Sequence, residues 1–128
     1  MPWFWQFVLV GIGGAIGAMV RYFIQNLNYF GDDKFYYTVA INITGCMAIG
    51  AIWAFLTHFG AHRWVYVLII GGFLGGYTTF SAFSLDFILL LRESLGKALI
   101  YGGAMMTGAL SGCALSYWLA RKFIKAFL

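Results

Sequence analysis

Charge is scarce in this 128-residue chain. It carries 8 Lys and Arg and 4 Asp and Glu, 9% of its residues, where a soluble protein carries about 25%. A soluble domain of this size exposes much of its surface and needs charge to cover it. So few charged residues exclude a soluble enzyme, a nucleic-acid-binding module and a disordered tail. Cysteine is sparse too. Cys46 and Cys113 lie inside long apolar runs without CxxC spacing, so packed thiols are expected rather than a disulfide framework or a zinc site. No basic segment precedes the apolar start Met1-Pro2-Trp3-Phe4-Trp5, and a cleavable signal peptide is not expected. His58 and His62 have a loop between them and no further ligands nearby, so they do not read as a metal site.

Apolar residues are abundant: 62% of the chain against about 45–50% in soluble proteins. They fall into four stretches, from about Trp3 to Ile24, Phe35 to Thr57, Trp64 to Leu91 and Lys97 to Leu119. A helix of about 20 apolar residues crosses the roughly 30 Å of a bilayer core. The expectation is an all-α membrane protein, a single four-helix transmembrane domain over residues 1–128. Gln25 to Lys34 forms a polar loop with Asn26, Asn28, Gly31, Asp32 and Asp33; His58 to Arg63 and Arg92 to Gly96 form the other two. Trp3, Trp5, Tyr36, Tyr37, Trp64, Tyr66 and Trp118 lie near the span ends, where interfacial aromatics gather.

Glycine is the second abundance, with 17 residues. Gly13 and Gly17 are followed at the same spacing by Arg21, and Ala104, Gly108 and Gly112 repeat the pattern in the last span. Small residues four apart let helix backbones approach closely, and packing alone accounts for both stripes. The third span differs. Its middle reads Gly71-Gly72-Phe73-Leu74-Gly75-Gly76-Tyr77-Thr78-Thr79-Phe80-Ser81-Ala82-Phe83-Ser84. Each glycine disfavours helix by about 1 kcal/mol relative to alanine, and Thr78 and Thr79 suit the N-cap of a restarting helix. The pattern predicts a break near Gly75–Thr79 and a restart near Phe80. Irregular backbone inside a membrane must be buried in protein or line a polar cavity, and broken helices are where transport proteins hold ions.

Orientation is undetermined by charge. One side carries Arg63, Arg121, Lys122 and Lys125; the other carries Arg21, Lys34, Arg92 and Lys97. The positive-inside rule needs an excess. Without one, a chain can insert both ways, and two opposed copies can pair about a twofold axis in the membrane plane, as inverted repeats do in fused transporters.

Few residues in the spans can do chemistry. Asn42 lies near Thr38, Thr44 and Gly45 and is either a helix–helix hydrogen bond or a donor to a permeating anion. Phe80 and Phe83 share a face; they pack, or they turn their positive ring edges toward an anion. Arg21 follows the glycine stripe and can snorkel to the interface. Asp86, two turns past the break, is expected paired or at a vestibule, since an unpaired carboxylate there is costly. No nucleophile–base constellation or phosphate loop is visible, so an enzyme is not expected.

The run from Gly72 to Ser84 closely resembles the signature of the CrcB/Fluc fluoride channel family. Gly13-Gly14-Ala15-Ile16-Gly17-Ala18-Met19-Val20-Arg21 resembles its first-helix motif and Asn42-Ile43-Thr44-Gly45 its second-helix motif, in the family's order. The resemblance implies an antiparallel (dual-topology) homodimer in the bacterial inner membrane, with two pores that export fluoride passively and relieve its toxicity. It implies pore residues at Asn42, Phe80 and Phe83, with Ser81 close by and Tyr101 beside the pore. It also implies a structural sodium ion at the dimer centre, held by the backbone carbonyls of Gly75 and Thr78. Asp86 stands where the family often has an acidic residue. Beyond Tyr101 the polar candidates are Thr107, Ser111 and Ser116, with Met105 and Gly108 on the turns above it. The alternative is a small dual-topology, proton-coupled multidrug exporter. It needs a membrane-embedded carboxylate, and only Asp86 is in a span. A glycine-packed scaffold explains the stripes but not a polar break.

Overall fold

The computed structural model describes residues 1–27, 31 and 33–128. Asn28 and Asp32 of the first polar loop lie outside the described residues. Four helical spans long and apolar enough to cross a membrane fill the chain: Trp3–Gln25, Lys34–His58, Arg63–Glu93 and Leu95–Phe127. The first is α1 and the second α2. The third comprises α3 (residues 63–77) and α4 (Phe80–Glu93), and the fourth is α5.

Each boundary has a local cause. Gly60, at φ 59°, ends α2 in a left-handed turn, and the Ala61 N–H returns to the Leu56 carbonyl at 2.9 Å. That is the six-residue closure of a glycine-terminated helix. One residue, Ser94, separates α4 from α5 and caps the new helix with its hydroxyl. The last span runs further than its apolar content indicates. It stays helical to Phe127, about 50 Å at 1.5 Å per residue. Arg121, Lys122 and Lys125 thus stand on helix beyond the roughly 30 Å of a bilayer core, with Lys122 over the Trp118 ring at 5.1 Å.

The glycines of the third span do not themselves interrupt it. Gly71 and Gly72 lie in a π-helical stretch, Tyr66–Leu74, and Gly75 and Gly76 in the helical turn Gly75–Tyr77. Their use is close approach. A Cβ on Gly72 would stand 3.0 Å from Gly13 Cα, one on Gly76 2.9 Å from Gly14 Cα, and one on Gly17 2.8 Å from Tyr77 N. At Gly13, Gly17, Gly72 and Gly76 backbone meets backbone, and no larger residue fits at these four positions. The helix departs two residues later. Thr78 (φ −83°, ψ 156°) and Thr79 (φ −153°, ψ 114°) are extended, and α4 starts at Phe80.

The second glycine stripe packs differently. Gly108 receives Ile43 and Gly112 receives Met47, both from α2. Ala104 takes no part and is exposed. A buried cluster of Phe83, Leu90, Ala98, Tyr101 and Met105 joins α4 to α5, with Phe35, Val39 and Phe87 against it. Of the aromatics at the span ends, Trp3, Trp5, Tyr36, Trp64 and Trp118 are exposed as a lipid interface requires, but Tyr37 is buried. Its hydroxyl donates to the Leu27 carbonyl, tying α2 back to the loop before it.

Candidate functional site

A break inside a membrane leaves backbone N–H and C=O groups that water cannot reach, each costing several kcal/mol unless paired. Side chains from α1 and α2 pair them here. Asn42, 4% exposed, faces Thr79 with both ends of its amide. Its Nδ2 donates to the Thr79 carbonyl at 3.1 Å, and its Oδ1 accepts the Thr79 N–H at 2.7 Å. One side chain thus replaces both hydrogen bonds that the extended residue cannot make in a helix. An Asn amide has one more N–H to give.

Arg21 holds the other side of the break. Its Nε donates to the Gly76 carbonyl at 3.1 Å, in the last turn of α3. The C-terminal end of a helix carries about half a negative charge, and a guanidinium is well placed against it. Snorkelling is therefore not what this side chain does: it reaches across to α3. The threonines complete the break from within. Thr78 sends both its N–H and its hydroxyl to the Leu74 carbonyl, at 3.0 and 2.9 Å. Thr79 Oγ1 accepts the Ala82 N–H at 3.3 Å as the N-cap of α4, and lies 3.1 Å from Ser81 Oγ.

From that N-cap, α4 presents its first turn. Phe80 and Phe83 come together, ring centroids 5.3 Å apart and planes tilted by 54°. Their surroundings differ: Phe80 is 68% exposed and Phe83 only 7%. Phe83 stacks on Tyr101 at 5.5 Å, so one ring faces outward and the other is fixed in the α4–α5 core. Tyr101, 8% exposed, donates its hydroxyl to Asp86 Oδ2 at 2.9 Å. Asp86 is thus paired, with a phenol rather than a cation. Tyr101 also lines an open cleft of about 540 Å³ shared with Phe35, Tyr36, Val39, Leu90 and Lys97.

Several polar groups of the break and of the neighbouring helices are exposed. Ser81 and Gly75 are exposed, as is Thr44, whose hydroxyl lies 3.0 Å from that of Tyr77. On α5, Thr107 and Ser111 are exposed, their hydroxyls turned back to the Gly103 and Thr107 carbonyls. Ser116 bonds the Cys113 carbonyl beside Gly50 and belongs to the α2–α5 packing.

The family profile described as "CrcB-like protein, Camphor Resistance (CrcB)" matches residues 8–120. The chain belongs to this family. Curated relatives agree along most of their length. A fluoride-specific ion channel FluC of Rhizobium etli is 40% identical over 120 residues, covering 86% of this chain and 94% of the relative. One from Mesorhizobium japonicum is 40% identical over 118 residues, covering 90% and 95%. One from Rhodopseudomonas palustris is 43% identical over 98 residues, covering 73% and 79%. With four spanning helices, this CrcB protein is a multi-pass protein of the cell membrane.

Sequence reasoning singled out Asn42, Arg21 and Thr79 but did not connect them. The residue it missed is Gly76, which acts through its backbone carbonyl. A carbonyl's partner has no sequence signal. The paired Thr44 and Tyr77 hydroxyls, by contrast, fall at the level of the motif itself.

Proposed function

We propose that this CrcB protein is a fluoride-selective ion channel, not an enzyme, that lets fluoride leave the cell passively and so relieves its toxicity. The broken third span carries the proposal. Fluoride holds its water tightly, and a pore must replace that water with donors. Around the break stand the remaining Asn42 N–H, the Ser81 hydroxyl, the exposed edge of Phe80 and, deeper, Phe83 and Tyr101. The relatives named as fluoride-specific channels support the same reading.

The functional unit in this proposal is an antiparallel homodimer with two pores in the bacterial inner membrane. Gly75, Ser81, Thr44 and Phe80 are exposed on the single chain, and polar backbone facing lipid is costly. A second copy covers that face, and the balanced Lys and Arg count permits the opposed orientation. A sodium ion fits the same surface. A Cβ on Gly75 would meet only the Ile70 carbonyl, at 3.6 Å, so the fold of one chain does not require glycine there, whereas a partner chain and an ion do. The carbonyls of Gly75 and Thr78 would hold it, at the negative end of α3. When bound, the cation supplies positive charge that ties the two copies together.

The proton-coupled exporter is the weaker reading. Its carboxylate must be free to take cation or proton, and Asp86 already accepts from Tyr101.

Reconstitution into liposomes tests the channel. Vesicles loaded with potassium fluoride should release fluoride when valinomycin clamps the potential, and chloride-loaded vesicles should not. Absence of fluoride release, or equal chloride release, overturns the proposal. Tags on the termini should be reachable from both sides of the membrane; uniform orientation overturns the antiparallel dimer.

A further inference from the structure

Two helix ends meet at the break with opposite electrostatic sign. The N-terminus of α4 is positive and favours an anion at Phe80 and Ser81. The C-terminus of α3, ending three residues before Phe80, is negative and repels one. Left bare, the second would oppose the first along any anion path across the break. Beside the sodium ion proposed for the Gly75 and Thr78 carbonyls, a side-chain cation stands at that negative end. Arg21 Nε lies 3.1 Å from the Gly76 carbonyl, and the side chain is partly shielded from solvent. Its register is fixed by neighbours that cannot move. Gly13 and Gly17, two turns and one turn before it, press backbone to backbone on Gly72, Phe73 and Tyr77. The other charged group of the mid-span region, Asp86, faces Tyr101 on α5 instead.

We infer that Arg21 is a positioning residue that masks the negative end of α3 beside the anion path, and that its charge, more than its hydrogen bond, sets the rate of anion passage. The inference rests on the channel reading above. It separates from a purely structural role because lysine keeps the charge, glutamine keeps a donor without it, and both are flexible chains able to reach a carbonyl.

The test compares wild type, Arg21→Lys and Arg21→Gln in liposomes at fixed sodium concentration, with dimer content measured by cross-linking. Arg21→Lys should pass fluoride within about two-fold of wild type. Arg21→Gln should pass it on the order of ten-fold more slowly per dimer, since a whole unit charge is removed from a site partly shielded from solvent. Equal rates for the two variants overturn the inference. Wild-type vesicles that release no fluoride overturn the channel reading and this inference with it. Should Arg21→Gln fail to assemble, Arg21→Cys in a Cys46→Ala/Cys113→Ala background keeps the question open to measurement. An aminoethyl thiol reagent should restore flux and a hydroxyethyl reagent of the same length should not. Restoration by both, or by neither, overturns the inference.

Discussion

The two glycine-rich crossings of this molecule use the same residue for different ends. Along α1–α3, glycine faces glycine, and main-chain atoms of one helix touch main-chain atoms of the other. Along α2–α5, the glycine stripe of α5 receives side chains from α2, Ile43 at Gly108 and Met47 at Gly112, while Gly50 of α2 meets the main chain of Cys113. The first arrangement has no soft component. The second is knob-into-hole packing with an adaptable knob. The rigid crossing is the one that carries Arg21 to Gly76 and leads into the extended threonines. Membrane helices lack a hydrophobic drive toward each other, so close backbone contact is what holds an irregular segment in place. The lesson is that a small-residue stripe does not by itself say how tolerant a crossing is; what fills the hole does.

The largest expected effect lies at the rigid side of this comparison. Asn42→Asp keeps the size of the side chain and removes its donor. The Thr79 N–H still finds an acceptor, but the Thr79 carbonyl meets an oxygen where it had an N–H at 3.1 Å. A buried carbonyl left unpaired costs about 1–3 kcal/mol, and more when the group opposite is charged. The carboxylate also repels an anion in a place where salt screens poorly. Fluoride flux should be nearly abolished and the thermal midpoint of the purified protein should fall. Wild-type flux from Asn42→Asp would mean that the amide neither holds the break nor meets the ion.

Much of this was legible in the chain. Four spans follow from apolar length, and the polar motif at residues 75–84 follows from its composition. Asn42, Arg21 and Asp86 stand out because polar groups are rare in such company. Their partners were not legible. Nothing in Asn42 says that both ends of its amide meet the same peptide, and nothing in Arg21 says that it reaches a carbonyl 55 positions on. The glycines misled in a specific way. Their helix propensity argues for interruption, but Gly72 and Gly76 pack on α1, which outweighs about 1 kcal/mol per residue, and all four stay helical. Tyr37 was read as interfacial from its place in the span, yet its neighbour Tyr36 faces out and it does not. One residue of helical rotation separates them. Extension of α5 to Phe127 was hidden because a helix leaving the bilayer turns polar without ending.

A smaller effect is expected from the support of the break. Gly17→Ala adds one methyl group, and its Cβ would lie 2.8 Å from Tyr77 N and 2.9 Å from the Phe73 carbonyl carbon. Both are main-chain atoms, so relief requires that the helices separate. Overpacking of this kind costs about 1–3 kcal/mol. Arg21 is one turn further along the same face, so separation also draws its guanidinium from Gly76. The thermal midpoint should fall, and flux per reconstituted protein should fall with it. A stable Gly17→Ala protein with full flux would show that the crossing is softer than its geometry.

The smallest effect is expected at the adaptable side, and it is the control for the rest. In Gly112→Ala the new Cβ would stand 2.9 Å from Met47 Cγ and 3.7 Å from its sulfur. That contact is looser than the one at Gly17, whose Cβ would press closer still on the Phe73 carbonyl oxygen. The partner at Gly112, moreover, is an unbranched side chain, half-turned to the surface at 44% exposure, with three rotatable bonds. Met47 can shift by a few tenths of an ångström without moving α2. Against that small cost stands a gain, since alanine favours helix over glycine by about 1 kcal/mol at an interior position. The same gain is available at Gly17 but is exceeded there by backbone overlap. The two terms nearly cancel at Gly112, and the thermal midpoint should stay within a few degrees of wild type with flux unchanged. A loss equal to that of Gly17→Ala would mean that the identity of the atom filling the hole does not matter, and the distinction between the two crossings would fall.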